Sequence, residues 1–110
     1  MQIIINSGNQ VGLKADQVEQ WQTEIGSSLE RFRDWITRVE VHLTDVNSQS
    51  KGGPDDIRCL MEARPANKQP VSIEVRSASV DRAIREATNT LERRLSGIVD
   101  KARTESRRRP

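Results

Sequence analysis

The spacing of the apolar residues changes twice along this chain, and that change restricts the fold more than any other feature of the sequence. In the first third, Val18, Trp21, Ile25, Leu29 and Phe32 recur every three or four residues. In the middle the apolar residues alternate with polar ones, and near the C-terminus they return to the wider spacing. Because a helix repeats every 3.6 residues and a strand every two, this order predicts a helix, several strands and a second helix.

Four segments are predicted to be strands. The first, residues 2–6, is a short β-branched run that ends at a Ser-Gly-Asn turn. The other three alternate as half-buried strands do; their apolar faces are Val39, Val41 and Leu43, then Ile57, Cys59, Met61 and Ala63, then Val71, Ile73 and Val75. Residues 47–56 are predicted to be a flexible loop and residues 65–67 a tight turn. Consecutive strands with short links favour an antiparallel meander for the last three.

Both helices have recognisable N-terminal signals. Asp16 is a good N-cap, and Glu19 three residues later completes a capping-box pattern. Ser79 is the predicted cap of the second helix, and Asp81 in its first turn lies favourably against the helix dipole. Gly26 weakens the first helix by roughly 1 kcal/mol, which is tolerable if the stripe is packed. The second helix has a long apolar stripe of Val80, Ala83, Ile84, Ala87, Leu91, Leu95, Ile98 and Ala102.

The element order is therefore β-α-β-β-β-α, and the predicted fold class is α+β. The simplest packing is a two-layer sandwich, in which two helices cover one face of a four-stranded sheet and the other face stays wet. At 110 residues the chain has room for one core only. We expect a single domain over residues 1–101, followed by a basic, disordered tail over residues 102–110.

The net charge of +2 is small, but it is spread unevenly along the chain. Residues 1–75 contain 8 Lys and Arg against 11 Asp and Glu, whereas residues 76–110 contain 10 against 5. Such an asymmetry indicates that one end or face meets a polyanion. A single cysteine, with neither a signal peptide nor an apolar run of membrane-spanning length, suits a soluble protein of the reducing cytoplasm.

The second helix contains the candidate site for that polyanion. At 100° per residue, Arg82, Arg85 and Arg93 lie opposite the apolar stripe, with Asn89 between them and Arg94 at the flank. A guanidinium group forks onto two oxygens, so arginines at this spacing can address successive phosphates of a nucleic acid. The pattern alone fits equally well a solvated helix face on which Glu86 or Glu92 pairs with its neighbours.

Other charged segments give weaker signals. The tail arginines, Arg107, Arg108 and Arg109, are better explained as a solubilising end than as a specific contact. Lys51 in the loop could contact a phosphate, but Asp55 and Asp56 beside it would oppose that contact.

The residues of an enzyme are missing from the sequence. His42 is predicted to point outward and Cys59 inward, so a Cys–His pair would need opposite faces of the sheet. One cysteine and one histidine cannot build a usual zinc site, and there is no glycine-rich phosphate loop. We therefore expect no catalysis, no metal, no cofactor and no small-molecule substrate.

Several motifs together resemble the ribosome hibernation-promoting factors, also called ribosome-associated inhibitors or sigma-54 modulation proteins. The similarity runs from Met1 to about Lys101, and it is carried by segments 36–45, 51–59, 62–65, 79–84 and 91–95. The resemblance implies a fold like that of double-stranded-RNA-binding domains. It also implies docking in the decoding-centre cleft of the small (30S) ribosomal subunit, which silences idle ribosomes in stationary phase or stress.

What the resemblance implies for the site is a set of basic residues on the second helix. They carry over onto Arg82, Arg85, Arg93 and Arg94, with Lys101 further along the helix. The expected partner is the 16S ribosomal RNA of the small subunit, together with any ribosomal proteins nearby. The extra C-terminal domain through which long members pair ribosomes has no counterpart in these residues, so we expect a monomer.

Two other functions stay open. One is a protein-interaction or regulatory module that kept the fold and lost ribosome binding. It is favoured by Thr90, which stands where the family usually has a lysine, and by the thinned lysine cluster in residues 97–101. The other is a general RNA-binding stress protein that would bind duplex RNA without preferring ribosomes.

Overall fold

The computed structural model describes residues 1–8, 11–46, 56–66 and 68–108, with side chains to residue 104. Its elements are β1 (Gln2–Ser7), α1 (Ala15–Ser28), a 3₁₀ turn (Glu30–Phe32), β2 (Ile36–Asp45), β3 (Ile57–Pro65), β4 (Val71–Ser77) and α2 (Val80–Arg108). The predicted α+β order is thus confirmed. Most of the predicted loop, residues 47–55, and Asn67 of the predicted turn lie outside the described residues.

The four strands form one mixed sheet in the order β1-β2-β3-β4. Strand β1 runs parallel to β2, with Ile3 opposite Val39, because α1 crosses over between the two strands. Strands β2, β3 and β4 are antiparallel, as predicted, with Val41 opposite Met61 and Met61 opposite Ile73. The alternating apolar residues of all four strands consequently meet on one face.

Both helices cover that apolar face. Helix α1 packs near β1 and supplies Trp21 and Ile25 to the core. Leu29, between α1 and the 3₁₀ turn, and Phe32, at the end of that turn, are buried with them. The apolar spacing was therefore right for these residues, but the α-helix ends at Ser28 rather than continuing to Phe32. The glycine at position 26 permits the close approach of helix and strand, since a Cβ there would lie 3.3 Å from Ile3 Cδ1.

The predicted start of α1 was wrong by two residues. Lys14 is the N-cap, and its backbone N–H donates to Gln17 Oε1 at 3.5 Å, so Gln17 takes the place expected for Glu19. Asp16 instead lies in the first turn, where its charge still suits the helix dipole.

Helix α2 begins as predicted and buries almost the predicted stripe. The Ser79 hydroxyl accepts from the Arg82 backbone N–H at 3.2 Å, which satisfies one of the unpaired N–H groups of the first turn. Two positions near the end of the stripe differ from the prediction: Ile98 is 38% exposed and Val99 is buried. At 100° per residue Ile98 lies about 20° from Leu91 and Val99 about 80°, so the helical repeat alone does not explain this exchange. It reflects what each side of this end of the helix meets: Val99 lies beside Arg31 and Phe32.

The C-terminal part of α2 is helical beyond the predicted domain boundary. The backbone stays helical through Arg108, whereas a disordered tail was expected from residue 102. The division into a domain of residues 1–101 and a tail of residues 102–110 stays a prediction, and the side chains of the tail arginines lie outside the described residues.

The face of the sheet opposite the helices is polar and has several ion pairs. The Glu40 carboxylate lies 3.3 Å from the Arg38 guanidinium. It also lies 3.8 Å from Nε2 of the His42 imidazole and 3.8 Å from the Arg64 guanidinium. Such half-exposed pairs contribute little each, on the order of 0.5 kcal/mol, but they neutralise one another across the strands. The wet face predicted from the sequence is therefore close to electrically balanced.

We expect Leu91→Ala in α2 to lower the free energy of unfolding by about 2–5 kcal/mol, because Leu91 is fully buried between helix and sheet. Ile98→Ala, on the same helix, should change it by less than about 1 kcal/mol. Urea denaturation followed by circular dichroism measures both values. An equal cost at the two positions would contradict the placement of Val99, rather than Ile98, in the core.

Candidate nucleic-acid interface

The side of α2 that faces away from the sheet is rich in arginine. Taking Arg82 as the reference, Arg85 lies about 60° to one side, Asn89 about 20° to that side and Arg93 about 20° to the other. All four are exposed. From Arg82 to Arg93 the helix rises by about 16 Å, which spans several phosphates of a nucleic-acid strand. Helical geometry thus brings these four predicted residues onto one surface, which we call the α2 face.

Two arginines of the α2 face have their charge available for a ligand. No described side chain forms an ion pair or a hydrogen bond with the guanidinium of Arg82 or of Arg93. The Asn89 amide is likewise without a partner among the described residues. An exposed guanidinium can therefore turn onto a phosphate without first breaking a contact within the protein.

Arg85 is held in place by an acidic neighbour. Asp81 Oδ2 lies 3.3 Å from Arg85 Nε, one turn of helix away. The other oxygen of the same carboxylate accepts a hydrogen bond from Trp21 Nε1 at 3.3 Å. Because Trp21 is buried in α1, this chain of contacts orients Arg85 and links the two helices. The guanidinium keeps free N–H groups that point toward solvent, since its side chain is 66% exposed.

The remaining predicted residues lie elsewhere on the helix. Arg94 and Lys101 are rotated by about 100–120° from Arg82, so they lie beside the sheet rather than on the α2 face. Arg94 donates from Nη1 to the carbonyl oxygen of Ser72 at 3.0 Å, across the edge of β4. Lys101 is exposed and has no described partner. The structure therefore groups four of the six predicted residues and separates the other two.

A groove of about 480 Å³ runs along the α2 face, between α2 and α1. Arg85 and Asn89 form one wall, and Thr23, Ser27 and Ser28 of α1 form the other. Ile25 and Ile84 form its mostly apolar floor, and the Glu24 carboxylate lies on the α1 side. Only the hydroxyl, amide and guanidinium groups of its walls suit phosphate or ribose oxygens.

The sequence reasoning missed two arginines beside this surface. Arg103 falls about 60° from Arg82, on the same side as Arg85, but it lies in the segment that was assigned to a disordered tail. Arg31 follows α1, stacks 4.5 Å from the centroid of the Phe32 ring and lies 3.7 Å from the Glu92 carboxylate. A signal for Arg103 was present, since the helical spacing of Leu95, Val99 and Ala102 extends beyond residue 101.

Acidic residues interrupt the α2 face. Glu86 lies about 40° from Arg82, and Asp100 falls almost directly in line with it. Neither forms an ion pair with a described side chain. Asp100 therefore weakens the attraction for phosphate beyond Arg93, and Glu86 weakens it between Arg82 and Arg93.

The groups that catalysis would require are kept apart. His42 and Cys59 lie on opposite faces of the sheet, since Cys59 pairs with the neighbouring position, Leu43. Cys59 is buried, and this burial raises the pKa of its thiol to about 12. Within the described ranges no cluster of three or more His, Cys, Asp or Glu side chains could hold a metal ion. In the same ranges no helix combines the length and the apolar character needed to cross a membrane.

Comparison with known proteins identifies the family. Residues 4–103 match the model of a family described as Sigma 54 modulation protein / S30EA ribosomal protein. The chain therefore belongs to that family, and the family predicted from its motifs is confirmed. A comparison with curated proteins gave no significant sequence match.

Two solved structures have a similar fold. The N-terminal domain of Protein Y from Thermus thermophilus superposes with a TM-score of 0.70 at 18% identity, covering 89% of this chain and 99% of that domain. A ribosomal subunit interface protein from Coxiella burnetii gives a TM-score of 0.68 at 14% identity, covering 91% of this chain and 99% of that protein. At these identities the likeness establishes the fold.

We expect Asp81→Asn to lower the free energy of unfolding by about 1 kcal/mol, because it removes a negative charge from the first turn of α2 and weakens the contacts with Trp21 and Arg85. Asp100→Asn is the matched control. Its side chain has no described partner, and it lies on the same helix but far from the first turn. The substitution should change the free energy of unfolding by less than about 0.5 kcal/mol. Chemical denaturation measures both, and equal effects would remove Asp81 as the link between the helices.

We expect the Cys59 thiol to resist a thiol reagent in the folded protein and to react within seconds once the protein is unfolded. The reactive form is the thiolate, and a pKa of about 12 keeps the folded thiol protonated. Both labelling rates should rise between pH 7 and pH 9 as the thiolate fraction rises, but that of the folded protein should stay far below that of the unfolded chain at every pH. Fast labelling of the folded protein at pH 7 would contradict the burial of Cys59.

Proposed function

We propose that this chain binds the small ribosomal subunit in the cleft of the decoding centre and thereby silences translation under stress or in stationary phase. In this proposal the α2 face contacts phosphates of 16S ribosomal RNA. The observation that carries it is a pair of guanidinium groups, Arg82 and Arg93, that have no partner among the described residues and lie on a rigid helix. The protein that presents them belongs to the S30EA ribosomal protein family.

The geometry supports binding to the RNA backbone rather than to base sequence. Guanidinium groups in a row along a helix match a row of phosphates, whereas base readout needs side chains that reach into a groove of the nucleic acid. Structured RNA is recognised largely by its shape and by its phosphate and 2′-hydroxyl groups. The hydroxyl groups on the α1 wall of the groove and the Asn89 amide add donors and acceptors beside Arg85.

The proposed mechanism is occlusion. The core holds α2 rigidly, so RNA contacts along the helix would fix the orientation of the whole module. Its bulk would then exclude transfer RNA and messenger RNA from the same cleft. No bond is made or broken, so we propose a binding protein and not an enzyme, acting in the cytoplasm where its ribosomes are.

Arg94 and Lys101 make a second, smaller part of the proposal. They lie on another side of α2, so they would contact a different RNA segment or a ribosomal protein. Arg94 would first have to leave the Ser72 carbonyl oxygen. We therefore assign them a smaller share of the binding free energy than the α2 face.

A second candidate function is a protein-interaction module that has lost ribosome binding. One observation favours it: the Thr90 hydroxyl donates to the Glu86 carbonyl oxygen at 2.8 Å, so this position provides no cation to the helix surface. A protein partner would survive nuclease treatment in a pull-down, whereas ribosome association would be lost.

We expect the protein to co-sediment with purified small subunits in sucrose gradients, with an affinity that falls as salt rises. The triple variant Arg82→Glu, Arg85→Glu, Arg93→Glu should bind at least about 100-fold more weakly. The slope of log binding constant against log salt concentration should also be smaller in magnitude by about 2 to 3, because three phosphate contacts no longer release counterions.

The matched control is Arg33→Glu, Arg64→Glu, Lys68→Glu, which changes the net charge equally at exposed sites away from α2. It should keep most of the affinity, and thermal unfolding should be recorded for both variants. Full binding by the α2 variant, or an equal loss in both, would reject the α2 face as the interface. Binding that persists alongside transfer RNA in the decoding cleft would reject occlusion.

A further inference from the structure

The outer edge of β4 carries unused backbone hydrogen-bonding groups. Two hydrogen bonds show which way the backbone groups of each strand residue point. The Leu43 carbonyl oxygen accepts from the Gly8 N–H, so Leu43 points toward β1. The Asp56 carbonyl oxygen accepts from the Val46 N–H, so Asp56 points toward β2. Because successive residues of a strand point to alternate sides, Cys59 and Met61 of β3 must face β4. Their register partners, Val75 and Ile73, therefore face inward. The N–H and C=O groups of Ser72, Glu74 and Arg76 point away from the sheet.

One end of this edge is already covered. The Ser72 carbonyl oxygen accepts from Arg94 Nη1 at 3.0 Å, which is independent evidence that the even-numbered residues point outward. Between the described residues, no group bonds to the outward N–H and C=O of Glu74 and Arg76. The free part of the edge is thus a short segment centred on Val75.

We propose that this segment pairs with the same segment of a second copy of the chain, antiparallel and centred on Val75. In that register Glu74 of one copy lies opposite Arg76 of the other, and each such pair exchanges two backbone hydrogen bonds. Two-fold symmetry repeats the pair, which gives four hydrogen bonds and a closed dimer. The side chains of the two residues meet as opposite charges on the outer face of the sheet.

Like-charge repulsion, and the contact of Arg94 with the Ser72 carbonyl oxygen, exclude the neighbouring registers. Centring the pairing on Glu74 would set two glutamates opposite each other and would require the Ser72 carbonyl oxygen that Arg94 occupies. Centring it on Arg76 would set two arginines opposite each other. Like charges directly opposite are unfavourable, so the register centred on Val75 is the one in which every pair is complementary.

The ion pairs that Glu74 and Arg76 form within one chain leave each side chain able to contact a second copy. Glu74 Oε1 contacts Arg58 Nε at 2.9 Å, and its second oxygen is open to the partner's guanidinium. The Arg76 contact with Asp56 is long, at 3.9 Å, and a guanidinium has five N–H donors. Their side chains are 46% and 61% exposed, so both reach beyond the edge.

The resulting dimer is weak and reversible. Two paired residues per strand bury far less area than a stable interface requires, so a dissociation constant of about 0.1–1 mM is expected. Such a monomer–dimer equilibrium would differ from the simple monomer expected from the sequence. The pairing does not involve Arg82 or Arg93, so it stands independently of the proposed ribosome binding.

Three proteins test the pairing by sedimentation velocity over a concentration series: the original chain, Glu74→Arg and Arg76→Glu. The original chain should associate, and each variant alone should associate at least about tenfold more weakly, because like charges then face each other. An equimolar mixture of the two variants should restore association, since one carries two positive and the other two negative residues at these positions. Thermal unfolding verifies that each variant is folded.

The outcomes separate the proposal from other modes of association. A wild-type chain that stays monomeric to about 1 mM would overturn it, as would association that both variants retain or that mixing fails to restore. Amide hydrogen exchange gives a second measurement that needs no variant. The Glu74 and Arg76 amides should gain protection as concentration rises, while that of Val75, already in the ladder, should not change. Unchanged protection at all three would contradict the pairing.

Discussion

The packing of α2 against one face of the sheet is the contact on which the rest of this structure depends. A thin sheet with a single apolar face cannot bury that face without a covering layer, and the chain has few aromatic residues to fill the space. Ala83, Ile84, Ala87, Leu91 and Leu95 supply most of the cover from the second helix, and all are buried. The alanines let the helix approach the strands closely, so aliphatic side chains suffice for a continuous core.

The same packing determines which charges the protein can present. Residues of α2 that contact the sheet leave the opposite third of the helix in water, and there Arg82, Arg85 and Arg93 lie on a support that cannot rotate. On the far side of the sheet the charges have a different arrangement. There Glu40 and its basic neighbours neutralise one another, so among the described side chains the arginines without an ion-pair partner all lie on α2. A burial constraint thus produces an electrostatic asymmetry.

Much of this architecture could be predicted from periodicity, because alternation and helical spacing directly reflect which side of an element is buried. The faces of β2, β3 and β4 and the start of α2 at Ser79 belong to this class. Details that depend on contacts distant in sequence could not be predicted. They include the parallel pairing of β1, the capture of Ser72 by Arg94 and the link from Trp21 through Asp81 to Arg85. The choice of Val99 over Ile98 belongs with these details, since the helical repeat places Ile98 nearer the centre of the apolar stripe and Val99 lies beside Phe32, which is distant in sequence.

We propose that the α2 face contacts ribosomal RNA in the decoding cleft of the small subunit. Electron cryo-microscopy of the protein mixed with small subunits tests it most directly, because it gives both the location and the orientation of the module. We expect density for the protein in the cleft, with Arg82, Arg85 and Arg93 within hydrogen-bonding distance of 16S RNA phosphates. Density at another site, or a module in the cleft with its α2 face turned toward solvent, would contradict it.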